Sequence, residues 1–524
     1  MKINLVSVED GIDNIGFRKI SAFVKAHYPG TGIHYVTTGN FRSLVRVLTM
    51  QGVAPLQRED IEAIAARIAD ARVVAFSSMT PYAGVTAEII AAVRQRNPAA
   101  LIVWGGIHAI IEPEDAIRHA DAVCTGEGEF AFLQLLAACE AGEPLEGTPG
   151  FWVRTPGGVA RNANLPLMTG ADMDGLPVPT YQDGELIYRR GEGFVPLTPL
   201  DYVNWCGLAY NTVWSLGCPM NCIYCGNSKF IEYDADYRKI RHSAPATIVA
   251  EIRGAIRKHP HISTVVFHDD SFMALPYKVL EEFCRLYTRE IGLPFAVIGL
   301  VPTYVTQEKM ALLVHAGMNR VRMGIQSGSQ RILDFYERQT PLQRIRESCA
   351  IINRFSSRMI PPAYDLILDN PMETAEDTAA TLDLLYGLPK PYTLNLFALR
   401  VIPNTRLATA LEERHIPVPP ISLTLPNHLP TLANLAIYLI LLFRLPPGLF
   451  AWLRNRALPS WQEQPRYPRL LLLLRVLYLS RRAYDHLRFM DFSVLTGRAG
   501  YLLWQSGLIG LWQRRFRHTR GAMG

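Results

Sequence analysis

The sequence predicts an α/β protein with a doubly wound, Rossmann-like domain at its N-terminal end and a mostly helical region at its C-terminal end. Short apolar runs alternate with helix-like stretches along most of the chain, and several runs end in glycine or small polar residues. At 524 residues, the chain is long enough for two or three domains. We divide it into an N-terminal domain (1–150), a linker (151–210), a second strand-and-helix domain (211–420) and an arginine-rich region (421–524).

Five apolar runs in the first 150 residues predict the strands of a parallel sheet. They cover residues 3–8, 33–36, 73–76, 101–104 and 122–124, and helical stretches separate them. Ligands of such sheets lie beyond the carboxyl ends of the strands, where glycine lets a large ligand approach the backbone closely. Three groups of residues occupy these ends: Ser77-Ser78-Met79-Thr80, Gly105-Gly106-Ile107-His108 and Gly126-Glu127-Gly128-Glu129.

Three of the eight cysteines lie close together, at Cys218, Cys222 and Cys225. They follow a predicted strand and a tight loop, with Tyr224 before the last cysteine and Gly226 after it. Thiolates are the standard ligands of iron–sulfur clusters. Three thiolates on a four-iron cluster leave one iron open to another ligand, as in catalytic metal sites.

A structural zinc site is the alternative for these cysteines. It needs a fourth ligand, and the candidate, His268, comes 43 residues after Cys225 in another motif. The other cysteines are too few and too unevenly spaced for a disulfide framework, and the N-terminus lacks the apolar core of a signal peptide. We therefore expect a cytoplasmic protein in which the remaining cysteines are buried in apolar segments.

A second series of strands follows the cysteines. Apolar runs at residues 264–267, 295–299, 320–323, 364–368 and 394–399 alternate with helical stretches. In β/α barrels, functional residues lie on the loops that follow the strands. The polar residues at these strand ends include Asp269, Asp270, Gln326, Ser327 and Asn370.

The strand ends of residues 1–150 resemble those of the cobalamin-binding domain of B12-dependent radical SAM proteins. The resemblance includes Pro113-Glu114 and implies a cobalamin site; the alternative is a domain that has lost its cofactor. The classical motif Asp-x-His-x-x-Gly is absent, as in many members of that family, and His108 follows a different strand, so it is not assigned as the cobalt ligand. The implied cofactor contacts are Ser77, Ser78, Thr80, Gly105, Gly106, His108, Gly126 and Glu127.

Residues 211–410 resemble the partial β/α barrel of radical SAM enzymes. The resemblance implies that the three cysteines hold a [4Fe–4S] cluster and that its open iron binds S-adenosyl-L-methionine (SAM), whose cleavage yields a 5′-deoxyadenosyl radical. The family's Gly-x-Glu-Ser-Gly strand end appears here with Gln326 in place of glutamate, which keeps a hydrogen-bonding group but removes a charge. The implied SAM contacts are Tyr224, Gly226, Asp269, Asp270, Gln326 and Ser327; for the two aspartates the alternative is a solvated loop.

The C-terminal region is strongly basic. Residues 421–524 carry 14 arginines, no lysine and 3 acidic residues, a net charge of +11. Because the whole chain has a net charge of +6, residues 1–420 carry −5. Its apolar runs, 432–443 and 470–479, are shorter than the roughly 20 residues that span a bilayer. An interfacial membrane segment and a helical cap on the barrel both explain the pattern, and no nucleic-acid-binding motif is present. Four tryptophans lie here: Trp452, Trp461, Trp504 and Trp512.

These patterns predict a cobalamin-dependent radical SAM enzyme, with methyl transfer to an unactivated carbon of a hydrophobic substrate as the main hypothesis. The alternatives are a cyclase or rearrangement enzyme, as in anaerobic tetrapyrrole ring closure, and a non-catalytic cobalamin or redox sensor. The expected partners are a small molecule, either a lipid or a tetrapyrrole, an electron donor such as flavodoxin or ferredoxin, and the inner face of the cell membrane. The sequence identifies neither the substrate nor a catalytic side chain.

Overall fold

The computed structural model of the protein describes residues 1–38, 55–179, 181, 184–418, 428–457, 466–489 and 491–511. These residues form two large β-sheets, each accompanied by helices, and a final group of helices. Two of the predicted interfacial tryptophans, Trp461 and Trp512, lie outside the described residues.

The first sheet confirms the predicted doubly wound domain. Its strands are β1 (Ile3–Glu9), β2 (Gly32–Thr37), β3 (Val73–Ser78), β4 (Leu101–Gly105), β5 (Ala122–Cys124), β6 (Phe151–Thr155), β7 (Gly158–Arg161), β8 (Leu186–Arg189) and β9 (Gly193–Pro196). In the described chain they lie in the order β7-β6-β5-β4-β3-β1-β2-β8-β9. Within this order, the neighbours β5-β4-β3-β1-β2-β8 pair in parallel. β1 is buried along its whole length because helices cover both faces of the sheet.

The helices of this part of the chain connect the strands. They are α1 (Ile15–His27), α2 (Arg58–Ile68), α3 (Ala83–Arg96), α4 (Ile107–Ile111), α5 (Pro113–His119), α6 (Gly128–Ala141), α7 (Gly170–Asp174) and α8 (Pro199–Cys206). Two of them, α4 and α6, begin directly beyond β4 and β5, so the glycine-rich strand ends also form helix N-termini.

The segment 151–210, expected as a linker, contributes four strands to the first sheet. β6 and β7 form an antiparallel hairpin beyond β5, and β8 and β9 form another beyond β2. All four strands are short, β7 and β9 form the two edges of the sheet, and β7 is partly exposed along its length. Their sequences therefore lack the continuous apolar runs that revealed the buried strands.

The second sheet has the topology that a partial β/α barrel requires. The strands are β10 (Ala209–Thr212), β11 (Ser215–Leu216), β12 (Arg241–His242), β13 (Thr264–Phe267), β14 (Phe295–Leu300), β15 (Met318–Gln326), β16 (Ala363–Leu368) and β17 (Thr393–Ala398). Six of them form a parallel sheet in the order β10-β13-β14-β15-β16-β17, and β11 and β12 form a small antiparallel ribbon.

The barrel helices alternate with these strands. They are α9 (Asn227–Tyr233), α10 (Pro245–Lys258), α11 (Tyr277–Glu290), α12 (Gln307–Ala316), α13 (Gln330–Phe335), α14 (Leu342–Asn353), α15 (Ala375–Gly387) and α16 (Arg406–Glu412). The apolar faces of α10 and α11 pack with β13 and β14 in one continuous core, which fixes the strand ends where polar side chains collect.

The C-terminal helices pack on the barrel. They are α17 (Leu432–Leu442), α18 (Pro447–Arg456), α19 (Pro468–Arg488) and α20 (Gly497–Gln505). The Tyr478 hydroxyl donates to the Leu394 carbonyl at 2.6 Å and accepts from the Leu394 N–H at 2.8 Å, so α19 covers the edge strand β17. Arg320 of the barrel pairs with the buried Asp491 at 2.7 Å. Among the described helices, none combines the length and apolar character needed to cross a bilayer.

Contacts between the two sheets bring their carboxyl edges together. From α1, Arg18 Nη2 donates to the Asn211 carbonyl at 2.6 Å and Lys19 Nζ to the Val213 carbonyl at 3.0 Å. Glu127, at the end of β5, pairs with Arg241 of β12 at 2.8 Å. The region between these contacts is enclosed by both domains.

Candidate cofactor sites

The cysteine loop begins directly after β11. Gly217 adopts a φ of 101°, and a Cβ there would collide with the carbonyl oxygen of Lys239, so the turn requires glycine. The loop is held at both ends, because the Cys218 N–H donates to the Tyr237 carbonyl at 3.0 Å and the Ile223 N–H to the Tyr336 carbonyl at 3.1 Å. These backbone hydrogen bonds anchor the loop to two neighbouring segments of the chain.

The three cysteines of this loop share one small apolar cluster. Cys218 and Cys222 are buried, Cys225 is half-buried and none forms a disulfide. The described residues contain no group of three His, Cys, Asp or Glu side chains arranged around a single metal ion. Ligands of a four-iron cluster each bind a different iron, so they need not converge on one point. His268, the proposed zinc ligand, instead contacts Asn211 Oδ1 at 3.1 Å.

The adjacent aspartates have different surroundings. Asp269 is fully buried and accepts from the Trp214 N–H at 3.2 Å and from the Ser215 N–H and hydroxyl at 2.5 Å each. Burial raises the pKa of Asp269 to about 6. Its oxygens are thus committed to positioning the strand that leads into the cysteine loop. Asp270 remains accessible. Burial is the main cause that raises the pKa of Cys225, and the negative charge of Asp270 raises it further.

A buried arginine that the sequence did not reveal lies against the cysteine loop. Arg338 Nη1 is 3.7 Å from Cys222 Sγ and 3.3 Å from the Tyr224 hydroxyl, and Nη2 donates to the Gly324 carbonyl at 2.6 Å. Buried arginines are rare unless they are paired. The sequence did not predict its burial, because Arg338 follows α13 in a loop and a loop arginine is most often exposed to solvent.

The strand end of β15 brings Gln326 towards this arginine but turns Ser327 away. Gln326 has a φ of 74°. A Cβ on Gly324 would collide with the side-chain nitrogen of Gln326 and would lie 3.1 Å from Arg338 Nη2, so both side chains lie close to Gly324. Ser327 is buried, and its hydroxyl accepts from the Ser329 N–H at 3.1 Å. Gln326 therefore remains near the cysteine loop, whereas Ser327 supports the turn into α13.

Tyr224 and Gly226 support the loop in different ways. The Tyr224 ring packs edge-on against Tyr336, with centroids 4.9 Å apart. A Cβ on Gly226 would lie 3.5 Å from the Ile111 side chain of the N-terminal domain. Gly226 therefore lies where the cysteine loop meets that domain.

A cavity of about 510 Å³ lies between the first sheet and the barrel. Its walls include Trp214 and Leu216, just before the cysteine loop, and Tyr237 on the barrel side. The structure brings five of the predicted cobalamin contacts to it: Ser77, Gly105, Gly106, Gly126 and Glu127. Because glycine has no side chain, the backbone at these strand ends is accessible from the cavity, and a large cofactor can approach it closely.

Three other predicted contacts do not line this cavity. Ser78 is buried and accepts from Trp104 Nε1 at 3.0 Å. His108 is buried with its Nε2 3.2 Å from Asp115 Oδ2. Thr80 Oγ1 is buried without a hydrogen-bond partner in the described chain. Among the described residues, no histidine lines the cavity.

Glu9, at the end of β1, is a cavity residue that the sequence did not reveal. Burial, followed by the charges of Asp10 and Asp13, raises its pKa to about 8. Asn14 Nδ2 donates to its carboxyl oxygen at 2.6 Å. Burial thus favours the neutral form of the Glu9 carboxyl in this wall of the cavity.

Comparison with known proteins identifies both domains. Residues 1–136 match the B12 binding domain and residues 212–385 match the Radical SAM superfamily. The chain contains a B12-binding domain and a Radical SAM domain. The Radical SAM domain implies a [4Fe–4S] cluster and SAM in the barrel, and the B12-binding domain implies cobalamin at the N-terminal sheet. The three free thiols and the glycine-lined cavity fit these groups.

Curated proteins are similar to this chain over more than half of its length. A methyltransferase of Pyrococcus horikoshii described as uncharacterized is 27% identical over 316 residues, which are 59% of this chain and 63% of the relative. The anaerobic magnesium-protoporphyrin IX monomethyl ester cyclase of Cereibacter sphaeroides is 25% identical over 323 residues, 58% of this chain and 48% of the relative. The chain thus spans about half to two thirds of the length of these relatives.

Solved structures share the fold. The methyltransferase TsrM from Kitasatospora setae, with cobalamin and a [4Fe–4S] cluster bound, has a TM-score of 0.59 at 18% identity, covering 79% of this chain and 75% of TsrM. The cobalamin-dependent radical enzyme OxsB, with aqua-cobalamin and SAM bound, has a TM-score of 0.60 at 13% identity, covering 96% and 75%. The same two-domain architecture therefore occurs in proteins of different sequence.

Replacing Arg338 by methionine is expected to shift the midpoint potential of the reconstituted cluster to more negative values. A positive charge beside Cys222 favours the reduced, more negative cluster, so its loss makes reduction harder. A hydrogen bond to a charged group contributes about 1.5–3 kcal/mol, and the part of it that differs between the two redox states sets the shift, at roughly 60 mV per 1.4 kcal/mol for one electron. Redox titration measures the shift. Arg354→Met, at an exposed arginine bonded to Gln307, is the control, and equal potentials in both variants would contradict a direct role for Arg338.

Proposed function

We propose that this protein is a cobalamin-dependent radical SAM methyltransferase acting on an unactivated carbon of a hydrophobic small molecule. The observation that carries the proposal is the cavity between the two domains. It extends from the glycine-rich ends of β4 and β5 to Trp214 and Leu216, which directly precede the cysteine loop. Cobalamin would occupy the glycine-rich end of this cavity, and the substrate would lie at the end towards the cysteine loop.

The roles of the chain's own residues follow from their contacts. Cys218, Cys222 and Cys225 hold the cluster, and Asp270 and Gln326 are the accessible polar groups that contact SAM. Asp269 acts indirectly, since its oxygens hold the backbone of Trp214 and Ser215. When bound, the cluster and SAM would supply radical chemistry and cobalamin would supply methyl transfer.

The substrate class and partners are part of the proposal. The cavity walls are largely aliphatic and aromatic, including Phe132, Phe151 and Ile248, which suits a lipid or a tetrapyrrole better than a charged metabolite. The reduced cluster needs an external electron donor of the flavodoxin or ferredoxin type. The positive charge of the C-terminal region supports contact with the inner face of the cell membrane.

The products formed from SAM test this function. The anaerobically reconstituted protein would be incubated with a reductant, cobalamin, methyl-deuterated SAM and lipid or tetrapyrrole extracts. We expect both S-adenosylhomocysteine and 5′-deoxyadenosine, together with a deuterated methyl group in one extract component. Cys222→Ala is the control, since it should form neither product. Failure to label any component while 5′-deoxyadenosine accumulates would contradict methyl transfer.

Cyclisation or rearrangement is the second candidate. It is favoured by the similarity to the Cereibacter cyclase and to a cyclase of the same name from Synechocystis, which is 24% identical over 306 residues. This activity uses the same cofactors and the same cavity. It predicts 5′-deoxyadenosine without S-adenosylhomocysteine, so the same experiment separates the two candidates.

A further inference from the structure

One face of α19 is apolar and exposed. Its buried side packs Leu471, Leu474 and Tyr478 against α17. The opposite side exposes five large side chains at helical spacing, with exposed fractions of 44–61%: Leu470, Leu473, Leu477, Tyr484 and Leu487. Spacings of three, four and seven residues place these side chains on one stripe. An exposed apolar stripe of this length indicates a contact surface.

A small basic pocket lies beside this stripe. The pocket, of about 150 Å³, is lined by Lys390, Arg444 and Arg481, and Asp485 is the acidic residue among its described walls. Lys390 is fixed in place because its Nζ donates to the Ile440 carbonyl and, at 2.7 Å, to the Phe443 carbonyl at the end of α17, while Arg481 Nε lies 3.7 Å from Asp485 Oδ2. Burial, and then the charges of Arg444 and Arg481, lower the pKa of Lys390. The three cations are therefore close enough to repel one another.

The pocket and the stripe belong to one surface. Arg481 lies four residues after Leu477 and three before Tyr484, so the three side chains are neighbours on α19. Phe443, next to Arg444, is also half exposed. A ligand in the pocket would thus have its charged group beside the cations and any attached chain beside apolar side chains.

We propose that Lys390, Arg444 and Arg481 bind the phosphate of an anionic phospholipid headgroup while the apolar stripe of α19 lies against the acyl chains. The proposal rests on the membrane contact included in the proposed function and assigns it a defined site. The net positive charge of the pocket complements an anionic lipid surface, where each basic residue contributes about 1 kcal/mol.

Vesicle flotation with the full-length protein tests the site. The vesicles would be phosphatidylcholine alone and phosphatidylcholine mixed with phosphatidylglycerol. Arg444→Gln/Arg481→Gln is expected to weaken binding to the mixed vesicles by roughly thirtyfold, since two basic residues are lost. Lys278→Gln/Arg285→Gln removes the same charge from the exposed surface of α11 and is expected to leave binding nearly unchanged. Circular dichroism and iron content verify that both variants fold.

Three outcomes would overturn the inference. If both double variants weaken binding equally, the attraction is diffuse and the pocket is not a headgroup site, although the membrane contact remains. If the wild-type protein does not float with mixed vesicles at low salt, the membrane contact fails as well. If the stripe mediates self-association, Leu473→Ser/Leu477→Ser will change the sedimentation of the protein without affecting flotation. Products formed from SAM are measured in solution, so methyl transfer is tested independently.

Discussion

Replacing Cys218, Cys222 and Cys225 together by alanine is expected to abolish the iron–sulfur cluster and all cleavage of SAM. Reconstituted wild-type protein should contain about four irons per chain, and the triple variant should contain almost none. The thiols are free, lie in one loop and have a buried arginine beside them. Iron analysis, the visible absorption spectrum and 5′-deoxyadenosine formation measure the effect.

The matched control replaces three buried cysteines elsewhere, Cys139, Cys284 and Cys349. These side chains lie in the hydrophobic core and behave as small apolar groups, so their loss should lower stability but not iron content. A loop-cysteine variant that keeps the cluster spectrum would contradict the ligand assignment.

Replacing Gly105 by leucine is expected to weaken cobalamin binding by roughly tenfold or more, since overpacking a site costs about 1–3 kcal/mol. Gly105 ends β4 and lines the cavity. Its φ is not positive, and an added Cβ would lie 3.6 Å from the Cys124 Cβ, an ordinary contact. The backbone therefore tolerates the change, while the side chain fills space that the cofactor needs. Absorption titration with hydroxocobalamin measures the affinity.

Gly84→Leu is the control for this effect. Gly84 lies on the exposed side of α3, and a Cβ there meets no heavy atom within 4 Å. This variant should bind cobalamin as the wild type does. Equal affinities in all three proteins would show that the cofactor does not approach the end of β4.

The fold was predictable from the sequence where buried strands produce local patterns. The runs at 122–124 and 264–267 coincide with β5 and β13, because a strand buried on both faces is continuously apolar. The four strands of 151–196 were missed, because they are only four or five residues long and form hairpins at the margins of the sheet, where a continuous apolar run is not needed. The docking of Asp491 against Arg320 was also hidden, since it joins residues 171 positions apart.

The candidate site was predictable in part. Spacing alone selected the three cysteines, and strand ends selected the glycines that line the cavity. Sequence could not separate Asp269, whose oxygens hold the backbone of the preceding strand, from Asp270, which stays accessible. Nor could it show that Ser78 and His108 face Trp104 and Asp115 rather than the cavity. These distinctions depend on the direction in which each side chain points. The order of residues in a motif does not reveal that direction.

The central claim is that the cavity between the two domains holds cobalamin without a histidine ligand to cobalt. Electron paramagnetic resonance of the Co(II) form, recorded with ordinary protein and with protein labelled with heavy nitrogen, tests it most directly. We predict retained cobalamin and identical spectra for the two samples, because no histidine among the described residues lines the cavity. Superhyperfine splitting that changes with the protein label, or a protein that retains no cobalamin, would contradict the account.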